Sequence, residues 1–356
     1  MINVLSPYNV TTSFVSVASG LTCTSYTLSL FIWDGAKASP PGTATYTITK
    51  QNPTGSTGDD DIDIAPYVQD YIDFTPKEDT STLVIDGDNQ YWIKTSATYI
   101  TTDPNDATTP QYASTLLAGL GYNYGFQAPL LSADPKSLLI DEDGFKVNRA
   151  GYFSVPVLID ESTSTPATVI SSPGFEINES YTLAATTDSG ELVKYIWVDL
   201  SETTSDTSVV ITFDTTNTVT LLIQDECRYT PVDFAFINKD GGQQLITFFK
   251  EQREKIAITD NEYESNGVVS DGVHQFKRLN VQARTSITYN SGFVHEDMNE
   301  TFKQFLLSER VWKLESSNYI PVNVVTKGVE YKTRQNDRLV NYAIEITNSY
   351  NEIQNI

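Results

Sequence analysis

The stretch FAFINKDGGQQLITFFK, Phe234 to Lys250, holds two apolar runs separated by Asn-Lys-Asp-Gly-Gly. Asp-Gly-Gly supplies residues that accept positive φ, as the tight turns of β-hairpins demand. Phe234, Phe236, Leu245, Thr247 and Phe249 alternate along the flanks with the period of a strand. The stretch is read as a core hairpin, and it sets the expectation for the chain. The fold class is mostly β, with tandem β-sandwich domains ahead of a C-terminal strand-helix-strand-strand module.

On the N-terminal side, TSYTLSLFIWDG alternates Tyr26, Leu28, Leu30 and Ile32, and predicts a strand. IDIAPYVQDYIDF predicts a short helix, with Asp63 as its cap and Tyr67, Val68, Tyr71 and Ile72 as its apolar stripe. The Pro- and Gly-rich segment 102–135 carries Tyr112, Tyr122, Tyr124 and Phe126 without a stable period. Irregular aromatic stretches of this length are often contact arms or binding loops. These four rings are therefore candidate interaction residues, with core packing as the competing reading.

The Ser/Thr/Pro stretch ESTSTPATVISSPG reads as a domain boundary. It separates residues 1–164, a sandwich-like domain with the aromatic arm, from residues 165–266, a second sandwich that ends in the hairpin. Residues 267–356 form the last unit. There HQFKRLNVQARTSITYN reads as a strand. FVHEDMNETFKQFLLSERVWKL changes to helical spacing at Met298, Phe302, Phe305 and Leu306, with Glu296, Asp297 and Glu300 where the helix dipole favours them. Two further strands follow in IPVNVVTKGVEYKTR and RLVNYAIEIT.

The 356 residues carry a formal charge of −23, unevenly spread. Residues 1–240 hold 10 Lys and Arg against 31 Asp and Glu; residues 241–356 hold 13 against 15. So acidic a surface repels phosphate backbones, and no nucleic-acid partner is expected. Cys23 and Cys227 are the only cysteines, and two distant thiols predict small buried residues in a reducing compartment. MINVLSPYNVTTSF has no basic segment followed by an apolar one, and no run reaches a membrane span. Synthesis in a cytoplasm, with no membrane partner, is the expectation.

Catalytic signatures are missing from the sequence. His274 and His295 stand alone, without metal-ligand spacing. Three acidic clusters, Asp59 to Asp63, Asp86 to Asn89 and Asp141 to Gly144, resemble parts of calcium loops without completing the twelve-residue pattern, and they read as solvated turns. Lys250, Arg253 and Lys255 alternate with Glu251 and Glu254, a solvated charged edge and not a basic patch. Trp33, Trp92, Trp197 and Trp312 are read as core residues before sugar platforms. No catalytic residue, cofactor or metal is expected, and the chain is read as a non-enzyme.

FINKDGGQQLITFF followed by EKIAITDNEYESN, then LLSERVWKL, IPVNVVTK and NDRLVNYAIEITNSYNEI, resembles virion structural proteins of tailed bacteriophages, especially those infecting Bacteroidetes. The opening SPY, the strand at Phe31-Ile32-Trp33 and the segment Ile64 to Tyr71 belong to the same likeness, which touches about half the chain. The resemblance implies a tail or baseplate protein of the virion, made in the host cytoplasm. It also implies a C-terminal unit that forms homo-oligomers, as rings or other symmetric assemblies, and that meets neighbouring tail or baseplate proteins. On that view Met298, Phe302, Phe305 and Leu306 join the candidate interaction residues. The alternative is a carbohydrate-binding adhesin that stacks its aromatic rings on host glycans.

Overall fold

The computed structural model describes residues 2–13, 23–52, 59–77, 81–86, 91–101, 111–112, 115–124, 137–160, 167–182, 191–265, 272–315, 318–328 and 339–352. The fold is mostly β, and strands hold more than half of the described residues. Its elements form three sheet systems, and the hairpin read from Phe234 to Lys250 touches all of them.

The first unit contains β1 (Ile2–Asn3), β2 (Asn9–Ser13), β3 (Cys23–Asp34), β4 (Tyr46–Gln51), β5 (Asp59–Asp63), helix α1 (Ala65–Gln69), β6 (Leu83–Asp86), β7 (Tyr91–Thr101), β8 (Gln111–Tyr112) and β9 (Leu116–Gly119). A six-stranded sheet runs β1-β9-β7-β3-β4, with β8 also on β7. Tyr26, Leu28, Leu30 and Ile32 are all buried along β3, as their alternation predicts. The β2–β5 ribbon and α1 pack onto this sheet: Tyr26 donates to Asp60, 2.6 Å away, and the Tyr46 and Tyr67 rings lie 5.4 Å apart. The N-cap of α1 is Ile64, not the predicted Asp63; Asp63, one residue earlier, accepts from the Ala65 amide at 3.1 Å. Val68 and Ile72 are buried from the predicted stripe, whereas Tyr71 stays exposed.

The second unit contains β10 (Ser137–Leu138), β11 (Gly144–Asn148), β12 (Tyr152–Asp160), β13 (Ala167–Ser171), β14 (Asn178–Thr182), β15 (Glu191–Asp199), β16 (Ser208–Phe213) and β17 (Asn217–Gln224). One sheet runs β10-β12-β15-β6 and takes β6 from the first unit; the other runs β11-β17-β16-β13-β14. Phe145 and Phe153, 4.9 Å apart, join the two across the core. A boundary at residue 164 therefore cuts through this sandwich. Tyr152 to Asp160 pair antiparallel with Asp199 to Glu191, and Ala167 to Ser171 of the Ser/Thr/Pro stretch are strand β13 itself, so the boundary read there falls inside one unit.

The third unit contains β18 (Val232–Ile237), β19 (Gln243–Phe248), β20 (Gln252–Glu264), β21 (Phe276–His295), helix α2 (Asn299–Leu307), β22 (Val311–Glu315), β23 (Asn318–Val324) and β24 (Leu339–Asn348). The seven strands run β19-β18-β22-β23-β24-β21-β20. This corrects the boundary at residue 266. Phe234 to Phe236 pair with Lys313 to Val311, so the hairpin is built into the C-terminal sheet and does not close the sandwich. The helix is also shorter than its periodicity predicts. It stops at Leu307, and Val311 to Glu315 form a strand, so the C-terminal end reads strand-helix-strand-strand-strand.

One face of this sheet meets α2. Phe236 lies 5.4 Å from Phe305, Phe248 lies 6.0 Å from Phe302, and Tyr289 lies 4.9 Å from Phe234. Each fully buried Phe contributes about 1.5–3 kcal/mol, and edge-to-face geometry adds to that. On the opposite face, Trp312 stacks against Phe74 of the first unit.

Candidate interaction surface

The turn of the hairpin is a junction. Asn238 donates to the Leu139 carbonyl, 2.5 Å away, and its side-chain oxygen accepts from the Asp240 and Gly242 amides. Gly241 sits at φ +81°, as the turn chemistry predicts. Gly242 leaves no room for a side chain, because a Cβ there would stand 2.6 Å from Pro156 of the sandwich. Gln243 exchanges two hydrogen bonds with the backbone of Lys77, and its amide donates to the Tyr195 hydroxyl.

Lys239 extends this junction to α2. Its ammonium pairs with Asp141 at 2.7 Å, its amide donates to Gln304, and its carbonyl accepts from Tyr122. Gln304 donates in turn to Asp141 at 2.6 Å. Two of the candidate aromatic residues end here. Tyr122 and Tyr124 contact each other edge to face, Tyr124 donates to Glu300 at 2.5 Å, and the Lys303 ammonium lies 3.4 Å from the Tyr124 ring centroid. Burial holds the Tyr124 phenol far above its ordinary range, and the bond to Glu300 adds to that.

The arm and the helix, named separately as partner-seeking elements, thus seek each other. Phe302 and Phe305 are 1% and 0% exposed, Met298 is buried, and Leu306 is partly buried against the same core. Their predicted contact with a neighbouring copy gives way to an internal role, because the sheet of their own chain already covers them. Tyr112 pairs through its backbone with Ser96, and Phe126 lies outside the described residues. All four tryptophans are buried, which removes them as exposed sugar platforms.

Beside the junction lies a cavity of about 550 Å³, lined by Glu142, Phe249, His295, Asp297, Met298 and Phe302 among others. Glu142 is 7% exposed and held at the first turn of α2, where the side chain and backbone of Thr301 face its carboxylate. Burial pushes this carboxyl up to about 7; Thr301 opposes the rise and Asp141 adds to it. Burial likewise raises Asp240 to about 6, partly offset by Lys239, and Asp233 to about 6, partly offset by Thr247.

Of the other acidic clusters, Asp59 to Asp63 is used structurally, and residues 87–89 of the second lie outside the described residues. Asp60 binds Lys50 and Tyr26, and Asp61 accepts from Thr11. Among the described residues, no group of three or more His, Cys, Asp or Glu is placed to hold a metal ion, and no helix is long and apolar enough to cross a membrane. His274 is exposed, and His295 ends β21 beside Asp297. Cys23 is buried as predicted, but Cys227 is exposed, in the connection that leads into β18.

The most exposed element was read only as a charged edge. Every residue of β20 is exposed, and among the described residues β20 pairs with β21 alone. β24 pairs with β21 from Ser286 onward, and the Glu352 amide just after it donates to the Ala283 carbonyl, so among the described residues the parts of β20 and β21 beyond Ala283 form a two-stranded ribbon. Thr259 to Glu264 of β20 carry this ribbon roughly 20 Å outward. Ile256, Ile258, Phe276 and Leu279 are each at least half exposed on it. Isolated two-stranded ribbons are marginal in water, and exposed apolar groups on one mark a contact surface.

No protein-family profile matches the chain, and no curated protein matches it.

Proposed function

We propose that this chain is an architectural component of a tailed-phage virion, a tail or baseplate protein that assembles through its C-terminal sheet. The observation that carries this reading is the β20–β21 ribbon. It offers exposed isoleucine and phenylalanine on a long edge strand, while the surrounding chain is strongly acidic and its best apolar helix is already spent on its own core. The likeness to virion proteins of Bacteroidetes-infecting phages supplies the setting, and the three interlocked units supply a rigid base for the ribbon. The partners are other copies of the chain and adjoining tail or baseplate proteins, and the role is mechanical rather than catalytic.

The test is direct. The purified protein at micromolar concentration forms symmetric oligomers by light scattering and negative-stain microscopy, and mass spectrometry of purified virions finds the chain at stoichiometric levels. Its absence from virions overturns the reading. The alternative, a glycan-binding adhesin, has one observation in its favour: Phe175 is 70% exposed on a turn with φ +59°. Saturable binding on a glycan array that Phe175→Ala abolishes would replace the architectural reading with that one.

A further inference from the structure

The ribbon's charges are sorted by face. Cross-strand partners share a face of a sheet, and successive residues alternate. In β20, Glu254, Ile256, Ile258, Asp260, Glu262 and Glu264 therefore lie on one face; they are joined there by Ala283, Arg278 and Phe276 of β21. This is the face that α2 covers nearer the base, since Tyr289, the partner of Gln252, packs against Phe234 and Phe248. Among these paired residues it holds four acidic side chains and one basic one, Arg278, which is bonded to Asp260.

The opposite face carries Arg253, Lys255 and Tyr263 from β20, with Arg284, Leu279 and Lys277 from β21. Its β20 and β21 residues include four basic side chains and no acidic one from Gln252 outward; the acidic residues of this face, Glu251 beside Arg253 at 3.2 Å and Glu345 of β24 opposite Thr288, stand at its base. The bulge opposite Thr259 and Asn261, where Asn280 takes φ +53°, keeps the two sets in phase along the ribbon.

We infer that the ribbon joins copies of this chain head to tail, with the basic face of one ribbon lying on the acidic, helix-side face of the next. The inference rests on the proposed assembly role and names the partner. A twofold contact through either face would set the excess charge of that face against itself, cations on cations or carboxylates on carboxylates. A head-to-tail contact sets unlike charges together and matches Ile256, Ile258 and Phe276 with Tyr263 and Leu279. Such heterologous contacts close into rings or run on as open helices, depending on the rotation between copies. Charges on an edge strand also discourage indiscriminate pairing. That purpose needs charge alone, neither its segregation by sign nor exposed isoleucines within the acidic set.

Two full-length variants test the inference. One carries Arg253→Glu, Lys255→Glu and Lys277→Glu; the other carries Glu254→Lys, Glu262→Lys and Glu264→Lys. All six positions are exposed, and circular dichroism verifies that both variants fold. Arg284 and Asp260 are left intact because they bind Asn348 and Arg278. By sedimentation velocity, each variant alone loses self-association, its midpoint rising on the order of tenfold for three exposed pairs. An equimolar mixture regains the wild-type midpoint, and native mass spectrometry finds the two chains in equal number. A chain carrying all six changes also assembles.

A monomeric wild type, a single variant that assembles like wild type, or a mixture that stays dissociated would each overturn the inference. A monomeric wild type that is nonetheless abundant in virions overturns this contact alone and leaves the virion role standing.

Discussion

Replacing Glu142 with Gln should stabilise the protein at pH 8 and leave it nearly unchanged at pH 4.5. The buried Glu142 carboxyl has its pKa raised from 4.5 to about 7, so folding favours its neutral form. Above about pH 7 the group is ionised in both states, and the folded chain bears the full penalty of burying the charge. As pH falls from about 7 to 4.5, the folded chain binds a proton that the unfolded chain does not, and stability rises. Below 4.5 both states are protonated and the gain is complete. The gap corresponds to about 3 kcal/mol, at about 1.4 kcal/mol per pH unit.

Gln removes that charge and keeps the size and shape of the side chain beside Thr301. For a cooperative unit of 150–250 residues, about 3 kcal/mol corresponds to roughly 6–12 °C in melting temperature. Calorimetric melts of both proteins at pH 8 and pH 4.5 measure it. A variant no more stable than wild type at pH 8, or one equally stabilised at both pH values, would refute the assignment of the penalty to ionised Glu142. Asp240 and Asp233 carry raised pKa values too, so part of the wild-type gain on acidification persists in the variant.

Three further outcomes follow from the junction and the ribbon. Phe236→Ala, at a fully buried ring beside Phe305, should cost about 3–5 kcal/mol in a denaturant titration, and with it any assembly. Gly242→Ala forces a methyl group to within 2.6 Å of Pro156; it should cost about 1–3 kcal/mol, and limited proteolysis should then cut between the sandwich and the hairpin. Ile256→Asp with Ile258→Asp should change stability by no more than about 0.5 kcal/mol at each exposed site, yet abolish oligomers by light scattering. A large loss of stability would mean that the ribbon packs within its own chain.

The hairpin was legible because its information is local: Asp-Gly-Gly fixes the turn, and the flanking phenylalanines fix the strands. β3 was legible for the same reason. The domain boundaries were not, because strand partners are chosen across the chain. Ser and Thr in residues 161–174 look like linker, but Tyr152 to Asp160 find their partner beyond it, and Gly144 to Asn148 pair in parallel with Thr220 to Gln224. The helix was legible at Met298, Phe302, Phe305 and Leu306, whereas strand Val311–Glu315, which begins after the chain turns extended at Ser308, was not.

The candidate surface was half legible. Tyr122 and Tyr124 were marked as contact residues and do make contacts, but with Glu300 and Lys303 of their own chain. Arg253, Glu254 and Lys255 already showed alternating sign. On a strand that alternation sorts charge onto two faces, but nothing in a sequence reveals that a strand lacks cover.

The junction at Gly242 also bears on synthesis. The sandwich surface around Leu139 and Pro156 emerges about a hundred residues before the turn that covers it, and β6 emerges earlier still, long before β15. At about 5–20 residues per second, the interval between Pro156 and Gly242 lasts roughly 4–17 s. During that time a nascent chain holds an apolar socket open to every neighbour on the polysome. Assembly of the finished protein therefore begins with a race on the ribosome, which the hairpin wins only once the third unit has been translated.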